Sequence, residues 1–413
     1  MNNKIHKYFL YFCIFILLAV YAFFESQNKG DLSIYMAASK DLFSGGNIFV
    51  NKYIDGYHYF YSVFFAILIY PLSLLPVSFA NLIWILINLV LVRQIFLLIK
   101  NLLPLNNFTQ KELMFLRIGG FVFSIRFIHE NIHCMQVTIF LLFLCLTGLK
   151  LIFSNKPFSG AALIAVGINI KLLPIVLLPY IFYRGFFKAG VFMIVVYFFL
   201  LFIPSFIIGW DFNLTLISTW KNLINPMNAG HILDTEERSF HGLSTLLSTL
   251  LVQNVPDAYA MHLKRNIADI SLENLSIILN MVRLALISLT LYFLRTFPFK
   301  NSVSMAHRFR EISYLLLLIP LIFPHQQHYN FLFICPAFIY CLYSFARNHK
   351  LINKNQKYLY LSIFIAVYLL CNLKLIAGAF NEYFEHYKIL TYGALLLIPL
   401  LMISRTENSK EFI

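Results

Sequence analysis

The feature that most constrains this chain is the recurrence of apolar runs long enough, or nearly long enough, to cross a bilayer. They fall at about residues 8–24, 58–76, 78–99, 113–128, 136–153, 159–183, 189–209, 274–296, 312–323, 331–346, 358–376 and 388–403. A hydrocarbon core of about 30 Å is crossed by about 20 helical residues. Inside lipid every backbone N–H and C=O must find a partner within the protein, so such runs become helices. Charged residues make up 12% of the chain and hydrophobic ones 60%; a soluble domain carries about a quarter charged and about half apolar. The sequence therefore predicts an all-α polytopic membrane protein, with roughly 11–13 transmembrane helices in one integral membrane domain, residues 1–413. The run 159–183 contains Lys171, Pro174 and Pro179. It reads as two short helices meeting near Lys171, because proline interrupts the helical hydrogen-bond ladder.

The net charge of +14 is spread over the ends of the apolar runs and forms no basic stripe. It marks membrane topology and excludes a nucleic-acid partner; contact with membrane lipid head groups is its secondary consequence. Lys4 and Lys7 put the N-terminus inside. Further inner turns are set by Lys150 with Lys156, Arg184 with Lys188, Arg295 with Lys300, Arg308 and Arg310, Arg347 with Lys350, Lys354 and Lys357, and Arg405 with Lys410. The outer segments are then the first loop, 25–57, the large loop 210–273, and the turns 324–330 and 377–387. This count requires that one of 58–76, 78–99 and 113–128 does not cross. The run 113–128, with Arg117 and Arg126 inside it, is the weakest of the three; its failure would leave Arg93, Lys100 and Lys111 outside. The first helix is expected to be retained, since no small-x-small cleavage pattern precedes Glu25. The six cysteines form no CxxC pair and read as small core residues, with no disulfide framework and no metal site.

With this topology the polar residues of interest gather on one face. The stretch Gly30–Tyr61 follows the first helix and is the longest polar-leaning interval of the first half. Asp31 opens it, ahead of an amphipathic piece over 32–43 that includes Tyr35, with Asp41 and Asp55 as competing carboxylates. A carboxylate at a membrane surface is placed to act as general base toward an acceptor hydroxyl. Lys171 lies in VGINIKLLPIVLLPY; an ammonium within an apolar span is a functional candidate, with a phosphate as its natural partner, and snorkelling toward the interface is the structural alternative. The string His129-Glu130-Asn131-Ile132-His133 is literally His-Glu-x-x-His, a zinc-site pattern on a helix, for which His325 and His328 would have to supply a third ligand. A polar cap on a membrane helix is the simpler reading. Gln136 opens the next apolar helix. Pro324-His325-Gln326-Gln327-His328-Tyr329 makes a tight outer turn, and His241-Gly242-Leu243-Ser244 leads into a short helix whose N-terminus suits an anion or merely carries a Ser cap. Trp210 and Trp220 bracket the start of the large loop, as an aromatic belt or as a platform for a sugar ring.

Taken in order, GDLSIYMAASKDLFSGGNIF, YHYFYSVFFAILIYPLSLLPVSFANLIWILIN, Gln136 at a helix head, KPFSGAALIAVGINIKLLP, a Ser-led piece at Ser244 and PHQQHY resemble the GT-C superfamily of polyprenol-phosphate-sugar-dependent glycosyltransferases, and within it glycosyltransferase family 87. The resemblance implies a GT-C-like bundle with an extracytoplasmic cavity, and transfer of a sugar, by family pattern mannose, from a polyprenyl-phosphate donor to a lipid or glycan acceptor with inversion. It implies Asp31 as the catalytic carboxylate and Lys171, His328 and His325 at the donor phosphate. Tyr35, Gln136, His241, Ser244 and Tyr329 fall to substrate binding. Neither cofactor nor metal is implied, and no Gly-rich phosphate loop is present in the sequence. A bacterial inner membrane with the active site outside is the implied location. Cys134-Met135 stands before Gln136 where the family usually has Gly. A flippase or transporter of lipid-linked sugars, or a polysaccharide polymerase, shares the hydrophobicity; a transporter would be expected to pair its broken helix with a second one in the other half.

Overall fold

The computed structural model describes residues 2–404 except 226–229, 236, 254, 256, 258–260, 300–302 and 351. Lys300, Arg405 and Lys410 lie outside the described residues, as do the side chains of Lys4, Lys7 and Asp55. The chain is helical: α1 Asn2–Glu25, α2 Asp31–Phe43, α3 Val63–Ser73, α4 Val77–Leu102, α5 Gln110–His133, α6 Thr138–Phe153, α7 Pro157–Ile170, α8 Leu177–Tyr183, α9 Phe187–Phe202 and α10 Ser205–Ile208. These are followed by α11 Trp210–Ile224, α12 Gly230–Leu233, α13 Leu243–Leu251, α14 Leu272–Ser288, α15 Thr290–Leu294, α16 Met305–Ile322, α17 Cys335–Asn348, α18 Lys354–Asn372, α19 Asn381–His386 and α20 Ile389–Ile403. Short 3₁₀ turns lead into α8 (Leu173–Val176) and α17 (His328–Ile334).

Among the described residues five helices are long and apolar enough to cross a bilayer unaided: Val77–Leu102, Phe187–Ile208, Leu272–Leu294, His328–Asn348 and Lys354–Leu375. A pair bent by 72°, Gly378–His386 with Ile389–Ile403, would be a sixth. Of α1 only Tyr11–Glu25 enters this count; the rest of the difference from eleven to thirteen has two physical causes. Helices such as α6 and α7, of 16 and 14 residues, are short for a full crossing. Helices α5 and α16 are long enough but carry Arg117, Arg126 and Glu130, or Arg308, Arg310 and Glu311, within their apolar stretch. The helix over His328–Asn348 is 94% buried and forms the centre of the bundle, whereas Phe187–Ile208 and Leu272–Leu294 are 17% buried and turn their apolar surface to lipid.

Side-chain contacts fix the direction of each helix. Asn81, near the start of α4, donates to the carbonyls of Ser26 and Asn28 (3.0 Å each) at the end of α1. Tyr21 bonds His129 at 2.8 Å and Glu25 pairs with His133 at 3.0 Å, so α5 ends where α1 ends. Helix α4 therefore runs away from this end and α5 returns to it. Of the runs 58–76 and 113–128, the second lies in the 24-residue α5, which returns to the α1 end, and the first does not reach the far end. It forms only the 11-residue α3, laid along α2 with Ser39 Oγ donating to the Ala66 carbonyl at 2.7 Å, and Pro76 breaks it from α4. Lys100 and Lys111 consequently lie at the far end, opposite Asp31. The far end also holds the α6–α7 and α8–α9 turns, where Arg308 lies over the rings of Phe153 and Phe186 at 4.8 and 5.8 Å. A buried pair, Arg184–Glu311, joins α8 to α16 there, with Tyr180 donating to Glu311 at 2.9 Å.

Packing inside lipid is driven by shape, because tails and side chains are equally apolar. Helices α6 and α7 meet at Gly148 and Gly160. A Cβ at Gly160 would lie 2.3 Å from the Gly148 carbonyl oxygen, so glycine is what allows this approach. Helix α7 stops at Ile170, Lys171 is extended (φ −147°, ψ 128°), and Pro174 begins the next turn. The broken span read from the sequence is present, with Lys171 at the break. A cavity of about 1070 Å³ opens between α1, α4 and α5, running from Tyr21 and His129 to Lys100 and Arg117.

Candidate active site

Helix α2 begins at Asp31, placing the carboxylate in its first turn, where the helix dipole favours a negative charge. The Asp31 amide donates to the Cys134 carbonyl at 3.0 Å, which ties the start of α2 to the end of α5. Gly30 permits this contact: a Cβ there would stand 2.6 Å from the Met135 side chain. The α5–α6 turn in turn delivers Gln136, whose Nε2 donates to Asp31 Oδ2. Its Oε1 accepts from the hydroxyls of Tyr35 at 3.3 Å and Tyr61 at 3.2 Å, and Tyr35 donates to Tyr61 at 2.8 Å. Gln136 is fully buried, so its orientation is fixed by these partners.

The Lys171 ammonium sits over the ring of Tyr61 at 5.4 Å and over that of Tyr329 at 5.9 Å, a cation–π arrangement, within electrostatic reach of Asp31. Burial lifts the Asp31 carboxyl from 3.8 to about 6, against the opposing effects of the Gln136 hydrogen bond and the Lys171 charge. The Asp31 carboxyl thus changes charge just below neutrality. Asp31, Tyr35, Gln136, Lys171 and Tyr329, read separately from the sequence, form one constellation.

Two further groups adjoin it. His328 follows Gln327 at the start of the 3₁₀ turn; its Nε2 is 3.9 Å from Glu130 Oε1, which also pairs with Arg126 (3.1 Å) and Lys374 (3.3 Å). His325 is instead held by Asp234: its Nδ1 is 2.8 Å from Asp234 Oδ1, and its backbone N–H donates to both carboxylate oxygens at 3.0 Å. Ser244 Oγ donates to Asp234 Oδ2 at 2.6 Å. Ser244 therefore serves a protein carboxylate rather than capping α13, whose N-cap is Gly242. Burial pushes the Asp234 carboxyl up, but the His325 and Ser244 contacts outweigh it and hold it below the usual carboxylate value. His241 is buried, its backbone N–H donating to the Gln326 carbonyl at 2.8 Å; burial and the neighbouring Lys388 charge keep its imidazole well below its ordinary value, hence neutral.

Other candidates are absorbed by the fold. Asp41 accepts from Asn51 and Tyr53 at 2.7 Å each and closes its own loop. Trp220 is buried, donates to the Phe60 carbonyl at 3.0 Å and stacks on Phe49, so no sugar reaches its face; Trp210 is exposed. His129 and His133 contact α1, whereas Glu130 points to Arg126 and Lys374. No cluster of three or more His, Cys, Asp or Glu side chains with metal-binding geometry occurs among the described residues, and His-Glu-x-x-His has no third ligand there. Sequence reasoning missed Asp234, Tyr61 and Lys374. Asp234 stands in an unpatterned loop 91 residues from His325, and no local spacing signals that pairing.

The sequence profile of glycosyltransferase family 87 matches residues 59–324, well over half of the chain. The chain belongs to glycosyltransferase family 87. This agrees with the all-helical membrane architecture, and makes the protein a membrane glycosyltransferase. Within the matched part of this family 87 protein lie Gln136, Lys171, Asp234 and Ser244; Asp31, His325 and His328 flank it. Neither the curated proteins nor the solved structures searched contain a match to the chain.

Proposed function

We propose that this membrane glycosyltransferase transfers a sugar, by family pattern mannose, from a polyprenyl-phosphate donor to a hydroxyl of a lipid or glycan acceptor on the extracytoplasmic face. The observation that carries the reading is the pairing of Asp31, a carboxylate held by Gln136 and raised to about 6, with the Lys171 ammonium across the rings of Tyr61 and Tyr329. Asp31 removes the proton of the acceptor hydroxyl as its oxygen attacks the anomeric carbon. The bond from that carbon to the phosphate oxygen breaks on the opposite side, inverting the centre. Lys171 offsets the charge that grows on the leaving lipid phosphate, as a fixed cation in a low-dielectric site does. His328, whose ring meets that of Tyr329 at 5.8 Å, and His325, oriented by Asp234, are the further cationic candidates for the phosphate.

The placement of basic turns supports an extracytoplasmic site: Lys100, Lys111, Lys150 and Lys156 lie at the end opposite Asp31, as the positive-inside pattern requires if that end is cytoplasmic. The direct test is transfer of radiolabelled mannose from polyprenyl-phosphate-mannose in membranes, wild type against Asp31→Asn. Loss of activity in the variant, with protein still present, is the expected result; equal activity removes Asp31 as the base. Membranes active with no lipid-linked sugar would favour a carrier of such lipids.

A further inference from the structure

Glu130 is the second acidic group beside the reacting centre, and its surroundings are asymmetric. Its Oε1 meets Arg126 at 3.1 Å, Lys374 at 3.3 Å and His328 at 3.9 Å. Its Oε2 is buried and meets no hydrogen-bond partner among the described residues. A buried polar atom left unpaired costs about 1–3 kcal/mol, more if charged, so such an atom calls for an explanation. On the same wall, Nδ1 of His328 and Nδ1 of His241 are also buried without partners, and the two imidazoles lie within electrostatic reach of each other. The set presents an unpaired carboxylate oxygen beside imidazole nitrogens that can donate or accept according to tautomer. An ionised phosphate offers acceptors and has no proton to donate to Glu130 Oε2. Hydroxyl groups, each both donor and acceptor, satisfy the whole set.

This wall is continuous with the Asp31 constellation. The ring of Tyr329 has the Lys171 ammonium 5.9 Å from its centre and the His328 ring at 5.8 Å. The Cys134 side chain is within electrostatic reach of both Asp31 and Glu130, and the Cys134 amide donates to the Glu130 carbonyl at 3.0 Å.

We propose that Glu130 is a sugar-recognition residue: its Oε2 accepts hydrogen bonds from ring hydroxyls of the transferred sugar, while Arg126 and Lys374 hold the carboxylate charged and in place. The proposal rests on the donor reading above and deepens it. Glu130 selects the sugar, and Lys171 serves the phosphate.

The test uses full-length protein in nanodiscs and two probes, polyprenyl phosphate and polyprenyl-phosphate-mannose, with wild type and Glu130→Gln. Wild type is expected to bind the sugar-bearing lipid more tightly than the bare phosphate lipid. Glu130→Gln, isosteric but uncharged, should bind the bare lipid as wild type does, which also shows that it is folded, and lose about tenfold to hundredfold for the sugar-bearing one, the range of a lost charged hydrogen bond. A variant that keeps the full preference, or loses affinity for both lipids equally, overturns the assignment. Wild type that binds neither lipid removes the donor reading itself, and the subsite with it. In turnover, the pH midpoint set by Asp31 should stay near about 6 in Glu130→Gln while KM for the donor rises; a shifted midpoint would mean that Glu130 acts through Asp31 rather than on the sugar.

Discussion

Replacing Gln136 by Leu tests the central constellation more sharply than removing the base. Gln136 Nε2 donates to the Asp31 carboxylate and thereby holds down a pKa that burial has raised to about 6. A hydrogen bond to a charged group contributes about 1.5–3 kcal/mol, and 1.36 kcal/mol is one pKa unit. Losing the donor should therefore raise the Asp31 midpoint by about one to two units, to about 7–8. A base acts only when deprotonated, so activity rises with pH through this midpoint. At pH 7 wild type would be about nine-tenths deprotonated and Gln136→Leu about one-tenth to one-half, a two- to tenfold drop in rate. The plateau above pH 9 should remain close to wild type, because Tyr35 and Tyr61 still bond each other at 2.8 Å and keep the floor of the site. The assay is a pH profile of kcat/KM for sugar transfer in detergent or nanodiscs. An unmoved midpoint, or an even loss at every pH, would refute the reasoning: Gln136 would then be holding substrate instead of tuning Asp31.

Asp31→Asn should lower kcat by about a hundredfold to ten-thousandfold, the range for a lost general base. At neutral pH it should melt no lower than wild type: a carboxyl raised on folding costs stability as pH climbs from 3.8 through about 6, and Asn removes that cost. Asp234 has the opposite sign. Its carboxyl is depressed in the fold, so its contribution is present above the ordinary value of 3.8 and lost as pH falls through its folded value; Asp234→Ala should destabilise by about 3–5 kcal/mol and flatten the acid side of a thermal-stability profile. Gly160→Ala forces a Cβ against the Gly148 carbonyl and should cost at least about 1–3 kcal/mol by overpacking, read as lower yield and melting temperature; normal stability would show that α6 and α7 are not so tightly joined. Arg184→Met leaves the buried Glu311 carboxylate with Tyr180 and His307 but without its guanidinium and should cost about 3–5 kcal/mol, although the pair lies at the end of the bundle opposite Asp31.

The sequence by itself determined that this chain is helical and set in a membrane, because uninterrupted apolar runs admit no other way to pair the backbone. It also located the break at Lys171, since Pro174 and a charged residue inside one apolar run leave few alternatives, and it singled out Asp31, Gln136, Lys171 and Tyr329. Each of these carries a local anomaly: a polar group at a helix start, inside an apolar run or at a tight turn. The family resemblance was legible for the same reason, from the order of such anomalies. Tertiary structure decided what depends on contacts between distant segments. Hydropathy scores 58–76 and 113–128 alike as apolar; only the packing of α3 along α2, and the ties of Asn81, His129 and His133 to α1, show that the former stays at one end of the bundle while the latter runs its length. Asp234 and Glu130 take their meaning from His325, Lys374 and His328, partners 91, 244 and 198 residues away (325 − 234, 374 − 130 and 328 − 130). A buried charge is explained by what surrounds it in space, and a linear sequence records its neighbours along the chain alone.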